Sequence, residues 1–280
     1  MAESPGVLYI CATPIGNLED VSIRLLKTLR QVDLIACEDT RHTLKLLNRY
    51  NIRKPLTSYH QHSHLTKEDH ILQQLQAGQQ VALVSDAGMP AISDPGADLV
   101  RRALQAGIKV EAIPGPSAVT TALALSGLDT QSFLFLGFLP AKSNQRREIL
   151  SSLAEQPRTM VFYEAPHRLL KTLAAMEELL GEERSIAVAR ELTKTYEEIR
   201  RGTVGEVLQY FHQHEPRGEF TIVLEGKPPV APTATMEEIA REVQILIANG
   251  MDKKEAFKKK ALEYGTRKSE IYNYYIEHYD

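Results

Sequence analysis

The sequence predicts an α/β fold: two α/β domains followed by a small C-terminal helical appendage. Short apolar or β-branched runs alternate with amphipathic stretches of helix length. Glycine, proline and aspartate cluster just after several runs, and a proline-rich segment separates the last run from a purely helical tail. Neighbouring parallel strands need a crossover between them, so the alternation implies an open sheet with helices on both faces.

The first domain, residues 1–128, contains the strand-like runs VLYICA, DLIAC, QVALVS and KVEAI, with helices from about Ser22, after Thr40 and from Ser117. The second, residues 129–228, contains FLFLG, TMVFY, SIAVAREL and FTIVLEG, with helical stretches at Arg146 to Leu153, His167 to Leu180 and Val204 to Gln213. Three prolines in GKPPVAPTAT fix backbone dihedrals and withhold amide donors, so this segment reads as a linker. Residues 229–280 hold that linker and three short helices. Asp252 with Glu255 forms a capping-box pattern, Gly265 and Thr266 separate the last two helices, and the middle helix carries five lysines. RNA contact and a packing or dimerisation role both fit that appendage.

A chain of 280 residues can bury a sizeable core, and 43% hydrophobic with 25% charged residues is an ordinary globular composition. No stretch approaches the roughly 18 apolar residues of a membrane helix, and no export signal is visible, so a cytoplasmic protein without a membrane partner is expected. Cys11 and Cys37 lie within apolar runs and read as buried thiols in a reducing compartment. A formal net charge of −3 excludes a protein that coats nucleic acid through bulk charge, so any RNA contact must be local. Lys142, Arg146 and Arg147 form one such basic cluster, and the tail lysines form another.

The chain contains no G-x-G and no G-K-[ST], which removes the dinucleotide fingerprint and the Walker loop. Its most distinctive segment is SDAGMPAISDPG, residues 85–96, directly after QVALVS. Ligands of open α/β sheets bind at the carboxyl ends of strands. There, small residues admit a ligand to the backbone, Asp86 can accept from a hydroxyl or ammonium, and prolines stiffen the loop. The plainer reading is a strand-to-helix turn with Pro95 opening the helix. PGPSA after KVEAI and TPIGNL after VLYICA have the same character, and Ser117 is placed to cap the following helix. Three stiff loops at three strand ends would meet at one rim. His60, His62 and His64 alternate in SYHQHSHL, but no cysteine or fourth ligand accompanies them, so a polar loop is expected and no metal site.

TPIGNLED, CEDTRHT, SDAGMPAISDPG, PGPSA, GFLP, FYEAPHR, ARELTK and GEFTIVLEG stand in an order that resembles the bacterial small-subunit rRNA methyltransferase I family, within the tetrapyrrole methylase (class III methyltransferase) superfamily. The resemblance spans Val7 to Gly226 and extends loosely into the tail. The chain departs from methylases of tetrapyrroles, which carry G-x-G-P-G-D where Thr13 to Leu18 stand here. The resemblance implies 2′-O-methylation of a decoding-centre cytidine in 16S rRNA, with S-adenosylmethionine folded between the two α/β domains of a homodimeric enzyme. It places Pro14, Ser85, Asp86, Ala87, Gly88, Ile92, Ser117 and Ala118 on the first-domain side of the cofactor. Tyr163, Glu164, Leu192, Glu219 and Phe220 approach it from the second domain. A tetrapyrrole or other non-RNA substrate, and a non-catalytic RNA-binding assembly factor, are the alternatives.

Transfer to a ribose hydroxyl needs in-line positioning and either a proton acceptor or a cation beside the developing alkoxide. Glu164 or Asp39 is the expected proton acceptor or orienting group, with Arg41 and Arg168 holding phosphate or alkoxide. Lys142, Arg146 and Arg147 complete the expected RNA contacts. Pairing of such carboxylates with neighbouring arginines, and helix capping, is the bland alternative.

Overall fold

A computed structural model describes residues 5–59, 64–94, 96–227 and 234–279, with backbone alone at 64–66. The chain forms two compact units, Met1–Lys227 and Pro228–Asp280.

In the larger unit, the first sheet comprises β1 (Val7–Cys11), β2 (Leu34–Cys37), β3 (Leu56–Ser58), β4 (Val81–Val84) and β5 (Lys109–Ile113), all parallel in the order β3-β2-β4-β1-β5. Central β4 is buried at every position, as VALV between two helical layers requires. Around the sheet run α1 (Ile23–Gln31), α2 (Thr40–Arg49), α3 (His64–Gln76) and α4 (Gly96–Gln105), and α5 (Ala118–Ser126) follows β5. The side chains of Ser22 and Asp39 accept the Leu25 and Arg41 amides and so start α1 and α2. Leu25, Leu29, Leu46 and Leu47 cover one face, while Ile71, Leu75, Leu99 and Ala103 cover the other. Each fully buried leucine contributes about 1.5–3 kcal/mol of transfer free energy. Short edge strand β3 carries no apolar run and went unread in the sequence. Both cysteines are free and buried, and burial pushes the Cys11 thiol up to about 12.

The second sheet comprises β6 (Phe133–Phe138), β7 (Thr159–Glu164), β8 (Ser185–Arg190), β9 (Glu198–Thr203) and β10 (Phe220–Leu224) in the order β6-β7-β10-β8-β9. Only β6 and β7 pair in parallel. Edge strand β9, EIRRGT, has no apolar run to signal it. Its polar side chains are paired laterally instead, Glu198 with Arg190 at 2.7 Å and Arg200 over the Tyr210 ring. Helices α6 (Ser143–Ser152), α7 (Leu169–Leu180) and α8 (Val204–Gln213) share a core with this sheet through Leu150, Phe162, Met176, Val207, Phe211 and Ile222. Helix α6 starts earlier than expected, and a 3-10 turn over Pro166–Arg168 precedes α7.

The opposite face of the second sheet is covered by a helix from the first lobe. Val119, Ala122 and Leu123 of α5 pack with Val161, Ala187, Ala189 and Val223. Six of the nine α5 residues are apolar, and the helix buries Val119, Ala122, Leu123 and Ser126 while Thr120, Ala124 and Leu125 stay exposed.

The smaller unit consists of α9 (Met236–Ala248), α10 (Lys253–Glu263) and α11 (Lys268–Tyr279) around Ile239, Val243, Phe257, Ile271 and Tyr275. A capping box joins Thr235 and Glu238, and the Asp252 side chain accepts from two amides at the start of α10. Lys260 pairs with Glu242 at 2.6 Å and Glu263 at 2.9 Å, so one lysine of the basic helix is internal to this unit. Among the described residues no helix is long and apolar enough to cross a membrane, and no acidic, histidine and cysteine group could hold a metal. His60, His62, Pro95 and most of the proline linker lie outside the described residues, as does the His64 side chain.

Candidate functional site

Parallel register brings Cys11, Val84 and Ile113 level with one another, so the loops following β1, β4 and β5 leave from one rim. Thr13 and Gly88 pair through both backbone bonds, at 2.9 and 3.1 Å, and the Thr13 hydroxyl donates to the Ser85 carbonyl. Ser85 Oγ closes its own loop by donating to the Gly88 carbonyl at 3.0 Å. Gly88 has φ +81°, the left-handed conformation that favours glycine. Ala91 and Ser93 adopt left-handed φ of 68° and 63° without that freedom. Asp94 holds them there, one carboxylate oxygen accepting the Ala91 and Gly96 amides at 2.8 Å each. Such strain costs about 1–3 kcal/mol per residue and concentrates at ligand clamps.

Register in the second sheet sets Phe220 opposite both Glu164 and Arg190, so β7, β8 and β10 present these residues at one edge. The following loop contains left-handed Glu191 (φ 50°) and Thr193 (φ 65°) and folds against the first lobe. Thr193 Oγ1 accepts the Asn17 amide at 3.0 Å, and a Cβ on Gly16 would stand 2.5 Å from Lys194 Cγ, so only glycine lets the loops approach this closely.

Between the two edges lies a cavity of about 690 Å³, within the range of small-molecule sites. Its walls carry six carboxylates, Glu38, Asp86, Asp94, Glu164, Glu191 and Glu219, against one ammonium, Lys194. Lys194 lies 3.0 Å from Glu191 and 3.6 Å from Glu219. Burial works to lower its pKa, but these carboxylates outweigh burial and hold it charged. Burial raises Asp94 above the usual carboxylate range. It also raises Tyr163, assisted by the Glu219 charge. An acid-rich, partly desolvated cavity attracts a cationic ligand.

Twelve of the thirteen residues assigned to the cofactor from the sequence line this cavity: Ser85, Asp86, Ala87, Gly88, Ile92, Ser117, Ala118, Tyr163, Glu164, Leu192, Glu219 and Phe220. Pro14 is buried behind Ile15, which does line it. Phe138, Glu38, Asp94 and Lys194 also line it and were not singled out individually, although each stands in a quoted motif.

The residues assigned to catalysis and RNA contact are placed differently. Asp39 is outside the cavity lining. It caps α2 and pairs with Arg41 at 2.7 Å, and the Arg41 hydrogen bonds hold its carboxyl down to about 2, which makes it a weak base. Arg41 lies on the surface in that pair. Glu164 is buried, at 2% exposure. Its oxygens accept the Ala165 amide at 2.9 Å and the Thr172 hydroxyl at 2.5 Å, and Arg168 Nε lies 3.1 Å away. Two hydrogen bonds and one ion pair fix the carboxylate in place, which suits an orienting group. Arg168, expected on phosphate, instead donates to the Leu139 carbonyl and faces Glu164. Arg146 is a correction: at 5% exposure, with Nη1 3.4 Å from the Ala141 carbonyl, it is directed inward and cannot meet a phosphate. Arg147 pairs with Glu178 on the surface, and Lys142 is exposed at the start of α6.

Two α/β lobes closing on an acid-lined cleft at their strand ends define a class of two-lobed, small-ligand enzymes. The tetrapyrrole (corrin/porphyrin) methylase family profile matches residues 7–208, and the chain belongs to that family. It is 46% identical over 273 residues to the ribosomal RNA small subunit methyltransferase I of Synechocystis sp., covering 97% of this chain and 98% of that protein. The Thermotoga maritima protein of the same name is 51% identical, over 79% of this chain and 99% of its own length. The cobalamin biosynthetic enzyme cobalt precorrin-4 methyltransferase has the same fold, with a TM-score of 0.59 at 18% identity, covering 78% of this chain and 94% of that one.

Proposed function

We propose that the chain is an S-adenosylmethionine-dependent methyltransferase acting on the ribose 2′-hydroxyl of a cytidine in 16S rRNA, cytidine 1402 by family expectation. The observation that carries this reading is identity of 46% across 97% of the chain to a relative named for small-subunit rRNA methylation. The reading extends to residues 1–128 and 129–228 as the two halves of the cleft, a homodimeric assembly, and the cytoplasm as its compartment.

The cavity fits the cofactor on its own chemistry. A sulfonium and an α-ammonium are cations, and six acidic residues but only one lysine line the cavity. Ser85, Asp86, Ala87, Gly88, Ser117 and Ala118 would hold the cofactor from the first lobe, and Leu192, Glu219 and Phe220 from the second. S-adenosylmethionine supplies a methyl group already activated by its positive sulfur, so the protein's task is alignment and exclusion of water. The Thr13–Gly88 bridge and the Asp94 clamp fix one wall before any ligand enters, while the Asn17–Thr193 contact closes one side. Glu164 keeps Arg168 in place and orients the end of β7. Lys194, held protonated, stabilises negative charge and cannot accept a proton. RNA phosphates are repelled by the carboxylates and stay outside, where Lys142 is exposed to meet them and Arg147 would have to exchange Glu178 for a phosphate.

Labelled S-adenosylmethionine incubated with purified protein and either assembled small subunits or deproteinised 16S rRNA tests this. Label in one 2′-O-methylcytidine is the expected result. Cofactor binding with no label in either RNA would instead indicate a tetrapyrrole or other non-RNA substrate, and absence of cofactor binding would indicate an assembly factor that uses the fold as scaffold.

A further inference from the structure

Phe138 is a large apolar side chain at 56% exposure on the wall of the cavity. It ends β6 immediately after a register shift between Phe135 and Gly137. Gly137 has φ +63°, and a Cβ there would stand 2.8 Å from Ser93 Oγ of the opposite lobe. The left-handed φ favours glycine here, and the resulting bulge sets where the strand's last side chain goes. Beyond Phe138 the chain is fastened by two inward guanidinium groups. Arg168 donates to the Leu139 carbonyl and Arg146 to the Ala141 carbonyl. Behind the ring stands Tyr163 at 5.5 Å between centroids, with Phe135 at 5.1 Å behind that. Ile92, the residue before Ser93, is itself 50% exposed and lines the same cavity.

Leaving a phenylalanine half in water forfeits burial free energy, and here the backbone beyond the ring is anchored while Tyr163 backs the ring itself. An exposed aromatic ring, backed by a second one, beside a methyl-transfer cavity is suited to stacking a planar ring. A 2′-hydroxyl lies on the open minor-groove face of an RNA helix, but bringing it down into a cleft between two lobes draws the nucleotide out of that helix, and the displaced base then needs a new partner.

We propose that Phe138 is the platform on which the target nucleobase stacks, positioning its ribose over the acid-lined cavity. This rests on the RNA reading of the site. Base–aromatic stacking is worth about 1–3 kcal/mol, so Phe138→Ala is expected to lower kcat/KM on assembled small subunits by about 5- to 150-fold. Phe138→Tyr keeps the ring and is expected to retain the activity. Affinity for S-adenosylhomocysteine, measured by calorimetry, stays unchanged in both.

The chain contains no tryptophan, so Phe138→Trp installs its sole indole fluorophore. Its emission is expected to be quenched by a cytidine-containing single-stranded RNA and unaffected by S-adenosylhomocysteine. Wild-type transfer to small subunits with an undiminished rate in Phe138→Ala overturns the proposal alone. Loss of S-adenosylhomocysteine affinity in Phe138→Ala also overturns it, by assigning the ring to the cofactor adenine. Wild-type protein that methylates neither rRNA nor small subunits overturns the functional reading and this proposal together.

Discussion

Replacing Glu164 by alanine would leave Arg168 facing an emptied site in which only 18% of its side chain reaches solvent. Removing one partner of a buried ion pair costs about 3–5 kcal/mol, because the remaining charge is uncompensated. Thr172→Val deletes one hydrogen bond to the same carboxylate, a bond of 2.5 Å to a charged acceptor, at about 1.5–3 kcal/mol. The order of destabilisation is therefore Glu164→Ala beyond Thr172→Val. The double variant Glu164→Ala/Arg168→Met should recover part of the single loss by removing the stranded guanidinium. Urea unfolding followed by far-ultraviolet circular dichroism measures all three. A Glu164→Ala loss below about 1 kcal/mol, or a double variant no more stable than the single, would refute the reasoning. The same change has a functional arm. Arg168 anchors the Leu139 carbonyl, so loosening it should raise KM for small subunits more than it lowers cofactor affinity.

Asp39→Asn is expected to leave both methylation rate and its pH profile unchanged, because asparagine caps a helix as well as aspartate and this residue lies off the cavity. Its carboxyl is depressed to about 2, so whatever it contributes to stability is present above the ordinary value of 3.8 and lost only as pH falls through about 2. An altered profile between about pH 5 and 9 in this variant would contradict that placement. Lys142→Ala should reduce the slope of log affinity against log salt by about 1, whereas Arg146→Ala should leave the slope intact and cost stability through lost packing. Reversal of those two outcomes in salt-titrated RNA binding would count against the inward placement of Arg146.

The first-lobe half of the cavity was legible because its loops follow apolar strands directly and parallel register then leaves them no other place to meet. Ser85 to Gly88 and Ser117 could be read in this way. Phe138 could not, since its exposure depends on a one-residue bulge and on an approach between Gly137 and Ser93 that no linear pattern encodes. Arg146 carried a usable signal: it stands four residues before Leu150, on the same helical face, and that face is buried. Charge alone suggests Asp39 as a proton acceptor or orienting group and Arg168 as a phosphate or alkoxide contact, yet their short-range partners, an amide two residues on and a carboxylate four residues back, already use them. Edge strand β9 escaped notice because its polar sequence is stabilised by lateral pairs rather than by an apolar face.

The chain order of α5 and its packing belong to different lobes. A cut after Leu128 would carry away the cover over Val161, Ala187 and Val223, so residues from 129 onward expressed by themselves should present a bare apolar sheet and aggregate. The two halves therefore act as one folding unit joined by a shared dowel.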